Sequence, residues 1–221
     1  MAKAKKGDFI EVEYTGTLKD NNFVFDTTDI EVAKANNLYE SKTEFGPAII
    51  CLGQGQLLKG LEEEIEGKEI EKDLVIPLPT EKAFGKKDAK MIKMIPSSAF
   101  RKQRIEPQPG LPVNVDGMSG VIKTASGGRC LVDFNHPLSG KDVVYTVKIL
   151  RIVADDAEKI KSFLKLSLRL KADVEVKEGK AEISIKREIP KEIQSVIEDG
   201  IKGLVKTVKS INFKVEKEEK K

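Results

Sequence analysis

Residues 51–67 read CLGQGQLLKGLEEEIEG: the end of an apolar run, a glycine-rich turn, then leucines among charges in the pattern of an amphipathic helix over residues 56–65. Strand, glycine turn and helix in that order is also the layout of a phosphate-binding loop. A P-loop needs lysine and then Ser or Thr after its second glycine, for the phosphates and for magnesium. Gly55 and Gly60 have the spacing, but Leu61 and Glu62 follow. The dinucleotide fingerprint needs a small residue where Leu58 stands. Glu62, Glu63 and Glu64 would also repel an anion near the helix start. The segment is therefore read for its apolar content: Leu57, Leu58 and Leu61, at i, i+1 and i+4, gather on one helical face. That face either packs on a sheet or lines a site.

The segments around it supply the sheet. In DFIEVEYTGTL, residues 8–18, the alternation of apolar and polar side chains predicts a half-buried strand. NNFVFDTT follows as a second strand, and Asp29 is placed to cap a short helix that ends near Asn36-Asn37. Further strands are expected at AIICLG and EKDLVIPLP. KDVVYTVKILRIV, residues 141–153, has the long alternation of a central strand that this antiparallel sheet otherwise lacks.

Between these pieces the texture changes. Residues 86–135 hold a strand at MIKMIP, a helical turn at SSAFRKQ, and strands joined at Asp116-Gly117 and Gly127-Gly128. They read as a small β unit inserted with its ends close together. From Asp155 the order is helix, hairpin turning at Glu178-Gly179, helix begun by Pro190, strand and a polar tail at residues 216–221. The expected class is α+β, an antiparallel sheet wrapped on one principal helix, with an inserted β domain and a C-terminal α+β domain.

Composition narrows the function. The 221 residues carry 39 basic and 36 acidic side chains, a net charge of +3, with no basic face for nucleic acid. No signal-peptide pattern and no long apolar run appears, so a cytoplasmic protein without a membrane contact is expected. Cys51 and Cys130 each sit in an apolar run and are read as buried free thiols, and one histidine, His136, makes no metal site. No cofactor motif is present.

The motifs VEYTGTL, FDTT, GQGQLLKGLEEEIEG, PTEKAFG and YTVKIL resemble, in order and spacing, the FK506-binding-protein (FKBP) family of peptidyl-prolyl cis-trans isomerases. The insertion after AFGKKD, closed by DFNHPLSGK, resembles the SlyD-type branch, in which such an insert-in-flap domain is a chaperone element. The C-terminal part resembles that of the long archaeal members. The resemblance spans residues 7–153 and implies an isomerase domain over residues 1–85 and 136–154, an insert over 86–135, and a C-terminal domain over 155–221.

Motif by motif, the resemblance implies a proline pocket of Tyr14, Phe25, Asp26, Leu57, Leu58, Leu61, Phe84 and Tyr145. Phe84 stands where the family usually has a tyrosine, and Ala48 where an aromatic wall residue is common. Such a pocket needs no nucleophile. The planar imide is more dipolar than the twisted transition state, so a dry apolar site favours the twist. Asp26 either holds Tyr14, orients the substrate carbonyl indirectly, or caps the Thr27-Thr28 turn. In the insert, Ile92, Met94, Ile95, Phe100, Met118 and Val121 are candidates for an exposed groove that binds unfolded chains. The expected partners are unfolded or proline-containing polypeptides; for the C-terminal domain, a ribosome contact or self-association is the kind of role expected. A binding-only holdase with a vestigial pocket is the alternative.

Overall fold

The computed structural model describes residues 2–186 and 188–215; the polar tail at 216–221 lies outside them. The chain divides into two compact units, Met1–Leu78 with Val143–Lys221, and Pro79–Asp142.

In the first unit, β1 (Phe9–Leu18) is central, paired with β2 (Val24–Thr27), β3 (Ala48–Cys51) and β9 (Val143–Ile152), and β9 carries β4 (Asp73–Leu78) on its other side. All these pairs are antiparallel. The expected alternation sets Val12, Tyr14, Gly16 and Leu18 opposite Ile149, Val147, Tyr145 and Val143. Leu74, Ile76 and Leu78 of β4 extend the same face, which is the buried one. Between β2 and β3, α1 (Ile30–Ala35) begins where Asp29 accepts hydrogen bonds from the N–H groups of Glu31 and Val32. It stops at Asn36, with Asn37 in the left-handed region.

The principal helix departs from expectation. α2 runs Lys59–Ile65, and Leu58 is its N-cap with extended backbone, so Leu57 and Leu58 precede the first turn and share no helical face with Leu61. The loop before it is held by its own polar contacts. Gln56 Oε1 accepts from Cys51 N at 2.7 Å. The carboxylate of Glu62 reaches back to the N–H groups of Gly53, Gly55 and Leu57 at 3.0, 3.3 and 3.1 Å. Gly53 and Gly55 both have positive φ, which turns their N–H groups inward. A cradle of the kind that binds phosphate is formed here and filled by the protein's own carboxylate. Leu61 and Ile65 are fully buried, and α2 packs on β4.

The C-terminal segment consists of α4 (Asp156–Leu168), β10 (Ala172–Lys177), β11 (Lys180–Ile185), α5 (Lys191–Leu204) and β12 (Ser210–Val215). β10 and β11 form a hairpin over Glu178-Gly179, both at positive φ; β12 pairs parallel to β11, as the crossover through α5 allows. Read from sequence as a module of its own, this segment shares a core with the first block: Ile160 and Leu164 of α4 cluster with Phe9, Cys51 and Val153. Ser162 Oγ donates to the carbonyl of Ile49, tying α4 to β3.

The second unit is a four-stranded antiparallel sheet in the order β5 (Ile92–Pro96), β8 (Arg129–Asp133), β7 (Met118–Ser126), β6 (Pro112–Val115), with α3 (Ser97–Lys102) after β5. Its turns fall at Asp116-Gly117 and Gly127-Gly128, all four residues at positive φ. Phe100, Ile122, Cys130 and Val132 form its core. The two ends are tied to each other: Thr80 N donates to Asp142 at 2.9 Å, Gly140 N to the carbonyl of Gly85 at 2.8 Å, and Lys87 pairs with buried Asp133 at 2.8 Å. Cys51 and Cys130 are free, buried thiols.

Candidate functional site

Three strands of the first unit bring four of the expected site residues together. Gly16 of β1 lies opposite Asp26 on β2 and opposite Tyr145 on β9. A bulge makes Phe25 an extra residue in β2, since Thr17 already pairs with Val24. Adjacent residues on a regular strand point to opposite faces, so the bulge is what lets Phe25 and Asp26 both serve this one. The Phe25 ring meets Tyr145 edge-on at 5.7 Å between centroids, and Tyr14 lies 6.1 Å from Tyr145. These rings close over Gly16. A Cβ there would come within 2.8 Å of Phe25 and 2.9 Å of Tyr145.

The Tyr14 hydroxyl donates to the Asp26 carboxylate, and burial together with that charge pushes the Tyr14 pKa up to about 12. Burial also raises Asp26, outweighing the hydrogen bonds it accepts from Thr27 N–H and Tyr14. Tyr145 is raised as well, by burial first and then by the Asp26 charge. Asp26 thus both holds Tyr14 and caps the Thr27 backbone. Tyr14 is fixed from behind too, its N–H donating to Thr28 Oγ1 at 2.9 Å and its carbonyl accepting from Thr28 N at 2.9 Å.

The other expected residues are placed differently. Leu61 is fully buried on α2, while Leu57 and Leu58 are half-buried in the segment leading to it. Phe84 belongs to the second unit, where its ring stacks on His136 at 4.8 Å and 4° and its carbonyl accepts from Ser139 Oγ. Tyr14 and Asp26 open onto a cleft of about 500 Å³. Its walls include Ala48, but also Phe45, Pro47 and Ile49 and, from α4, Ser162 and Lys165. Phe45 is backed by Tyr39, stacked at 5.7 Å. Sequence reasoning missed these because Tyr39, Phe45 and Pro47 lie in an irregular loop with no periodicity. The α4 residues sit on the polar side of an amphipathic helix, where solvent is the default expectation.

Among the described residues no group of three His, Cys, Asp or Glu could hold a metal ion. The cluster instead offers aromatic surface, a neutral phenol and one carboxylate, which suits recognition of an uncharged planar group.

A family model described as "FKBP26, IF domain" matches residues 93–138. A "Short-type peptidyl-prolyl cis-trans isomerase" of Methanocaldococcus jannaschii is 33% identical over 154 residues, covering 70% of this chain and 97% of that protein. The "FKBP-type 16 kDa peptidyl-prolyl cis-trans isomerase" of Escherichia coli K12 is 33% identical over 111 residues, 48% of this chain and 74% of that protein. The chain belongs to the FKBP-type peptidyl-prolyl cis-trans isomerases. A further FKBP relative, the SlyD protein of Vibrio cholerae, is 27% identical over 125 residues, 55% of this chain and 62% of that one. Among the described residues of this FKBP chain, no helix is long and apolar enough to cross a membrane.

Proposed function

We propose that this FKBP-family chain accelerates cis-trans isomerisation of X-Pro bonds in unfolded or partly folded cytoplasmic polypeptides, and that residues 86–135 add chaperone binding. The observation that carries the catalytic part is the Tyr14-Asp26 pair set beside the Phe25-Tyr145 ring pair over Gly16. Peptide-bond rotation is opposed by a barrier of about 18–20 kcal/mol that comes from resonance. Apolar ring surface disfavours the dipolar planar imide more than the twisted state, and each 1.36 kcal/mol of that preference is worth about tenfold in rate. Asp26 acts through Tyr14, keeping the phenol protonated and oriented. Leu57, Leu58 and Leu61 are proposed as further members of the site; Phe84, in the second unit, is proposed from the motif resemblance alone and lacks the hydroxyl that a tyrosine would supply. A proline-peptide assay tests the reading. A rate no faster than the uncatalysed one would overturn it.

For client binding the support lies in the sheet of the second unit. Ile92 and Val121 both pair with Asp133, and Met94 pairs with Leu131, which puts all three on the face away from the core. Met94 is 62% exposed. Ile95 and Met118 pack against the core and Phe100 is 3% exposed, so these three shape the sheet from behind. The exposed Met94 on that face also favours the second reading, a holdase. Deleting residues 86–135 separates the two: it should spare peptide isomerisation while slowing refolding of a proline-limited protein, and equal loss of both contradicts the division. For residues 155–221 the proposed roles are self-association or a ribosome contact through α5, whose Ile193 and Val196 are 51% and 69% exposed. Copurification with and without these residues distinguishes them.

A further inference from the structure

The cleft beside Tyr14 and Asp26 does not end at the isomerase strands. Its lining also takes in Lys161, Ser162 and Lys165 of α4, the apolar Phe45, Pro47 and Ile49, and Arg151 with Glu11 and Glu158. A second depression, of about 330 Å³, shares Glu44, Lys161 and Lys165 with the first and continues to Lys171, Asp173 and Lys186. The two form one groove, running from the phenol-carboxylate pair to the start of β10 and the end of β11. Its outer part holds four lysines against two carboxylates, a surplus of two positive charges. Glu44 is shared by Lys165 and Lys171, and Lys161 pairs with Asp173 at 2.9 Å. All these side chains are solvent-exposed, and exposed ion pairs are weak and exchange partners readily. An incoming carboxylate can therefore take over a lysine.

We infer that a substrate chain leaves the proline site along α4 and that an acidic stretch beside the proline is held in this lysine basin. The groove is continuous with the site, its apolar lining residues suit an extended chain, and the charge of its outer part, unlike that of the part beside Asp26, is complementary to glutamate or aspartate. The C-terminal segment thereby selects substrates by the charge of the residues flanking proline. This inference rests on the isomerase reading for its kinetic consequence, but not for binding.

The test uses the full chain and proline peptides carrying three glutamates at increasing distance from the proline, on either side, each matched by a glutamine counterpart. At one offset the glutamate peptide is expected to show kcat/KM about threefold to tenfold above its counterpart in low salt, a preference that disappears in about 0.5 M salt. In the double variant Lys171→Glu, Lys186→Glu the ratio should fall below one. Because the readout is a ratio, a fold or pocket defect lowers both peptides alike, and the glutamine peptide reports on isomerisation alone. If neither peptide is isomerised, calorimetric affinities of the same pairs apply the same criterion. A ratio of one at every offset, or the same ratio in the chain and its double variant, overturns the inference.

Discussion

Gly16 has no room for a methyl group. The two rings that close over it are part of the proposed site, so Gly16→Ala must displace Phe25 or Tyr145 rather than a flexible side-chain end. Overpacking of this kind costs about 1–3 kcal/mol. The expected outcome is a lower urea midpoint together with lost peptide isomerase activity; a fully active Gly16→Ala protein would show that the ring pair is not the catalytic surface. Asp26→Asn separates charge from shape. With the charge gone, the Tyr14 pKa should fall from about 12, as followed by 13C NMR of the ring. Replacing a charge-assisted hydrogen bond by a neutral one should lower kcat/KM about fivefold. Stability moves the other way. Because the folded pKa of Asp26 is raised, its contribution is fully present below the unfolded pKa and is lost as pH rises through the folded one. The asparagine variant should therefore gain most on the parent at neutral pH and least in acid. At this scale the motifs named Tyr14, Phe25, Asp26 and Tyr145, and the strands bring these four side by side. Gly16 went unmarked because its role is a close approach of two rings, and spacing says nothing of rings from other strands.

Elements were legible to the extent that they follow a period. The alternation in β1 and β9, the Asp29 cap and the Asp-Gly and Gly-Gly turns all fall where expected, since each is decided by neighbours in sequence. The start of α2 was misplaced by three residues because the competing structure is a loop closed by Glu62, a residue that reaches backwards across the glycines. Removing that carboxylate leaves three N–H groups without their partner, although Gly53 and Gly55 are near enough to solvent to be rehydrated. Glu62→Ala is accordingly expected to cost about 1–3 kcal/mol, read as a shift of the urea midpoint. Added phosphate should not restore it if the cradle is shaped to a carboxylate on its own helix.

At the scale of the whole molecule, amphipathic patterning announces that Ile160 and Leu164 will be buried but not against what. Their partners include Phe9, Cys51 and Val153, of which the first two are more than 100 residues away in sequence. Arg151 reinforces the join, pairing with Glu11 of β1 at 2.6 Å and with Glu158 of α4 at 2.9 Å. These contacts are partly exposed and add modestly; the apolar contacts decide. A chain ending at residue 154 keeps every strand that carries Tyr14, Phe25, Asp26 and Tyr145, yet it uncovers Phe9, Cys51 and Val153, which are 3%, 1% and 2% exposed in the intact protein. Burial of a side chain such as Phe9 or Val153 is worth about 1.5–3 kcal/mol, so the loss of these two alone should cost the truncated protein about 3–6 kcal/mol, seen as an earlier urea transition. At low temperature, where it remains folded, it should still isomerise a neutral proline peptide but lose the preference for acidic flanks, because the wall of the groove is gone. An unchanged midpoint would mean that the first block folds without the C-terminal segment, and a retained acidic preference would place the basic wall elsewhere.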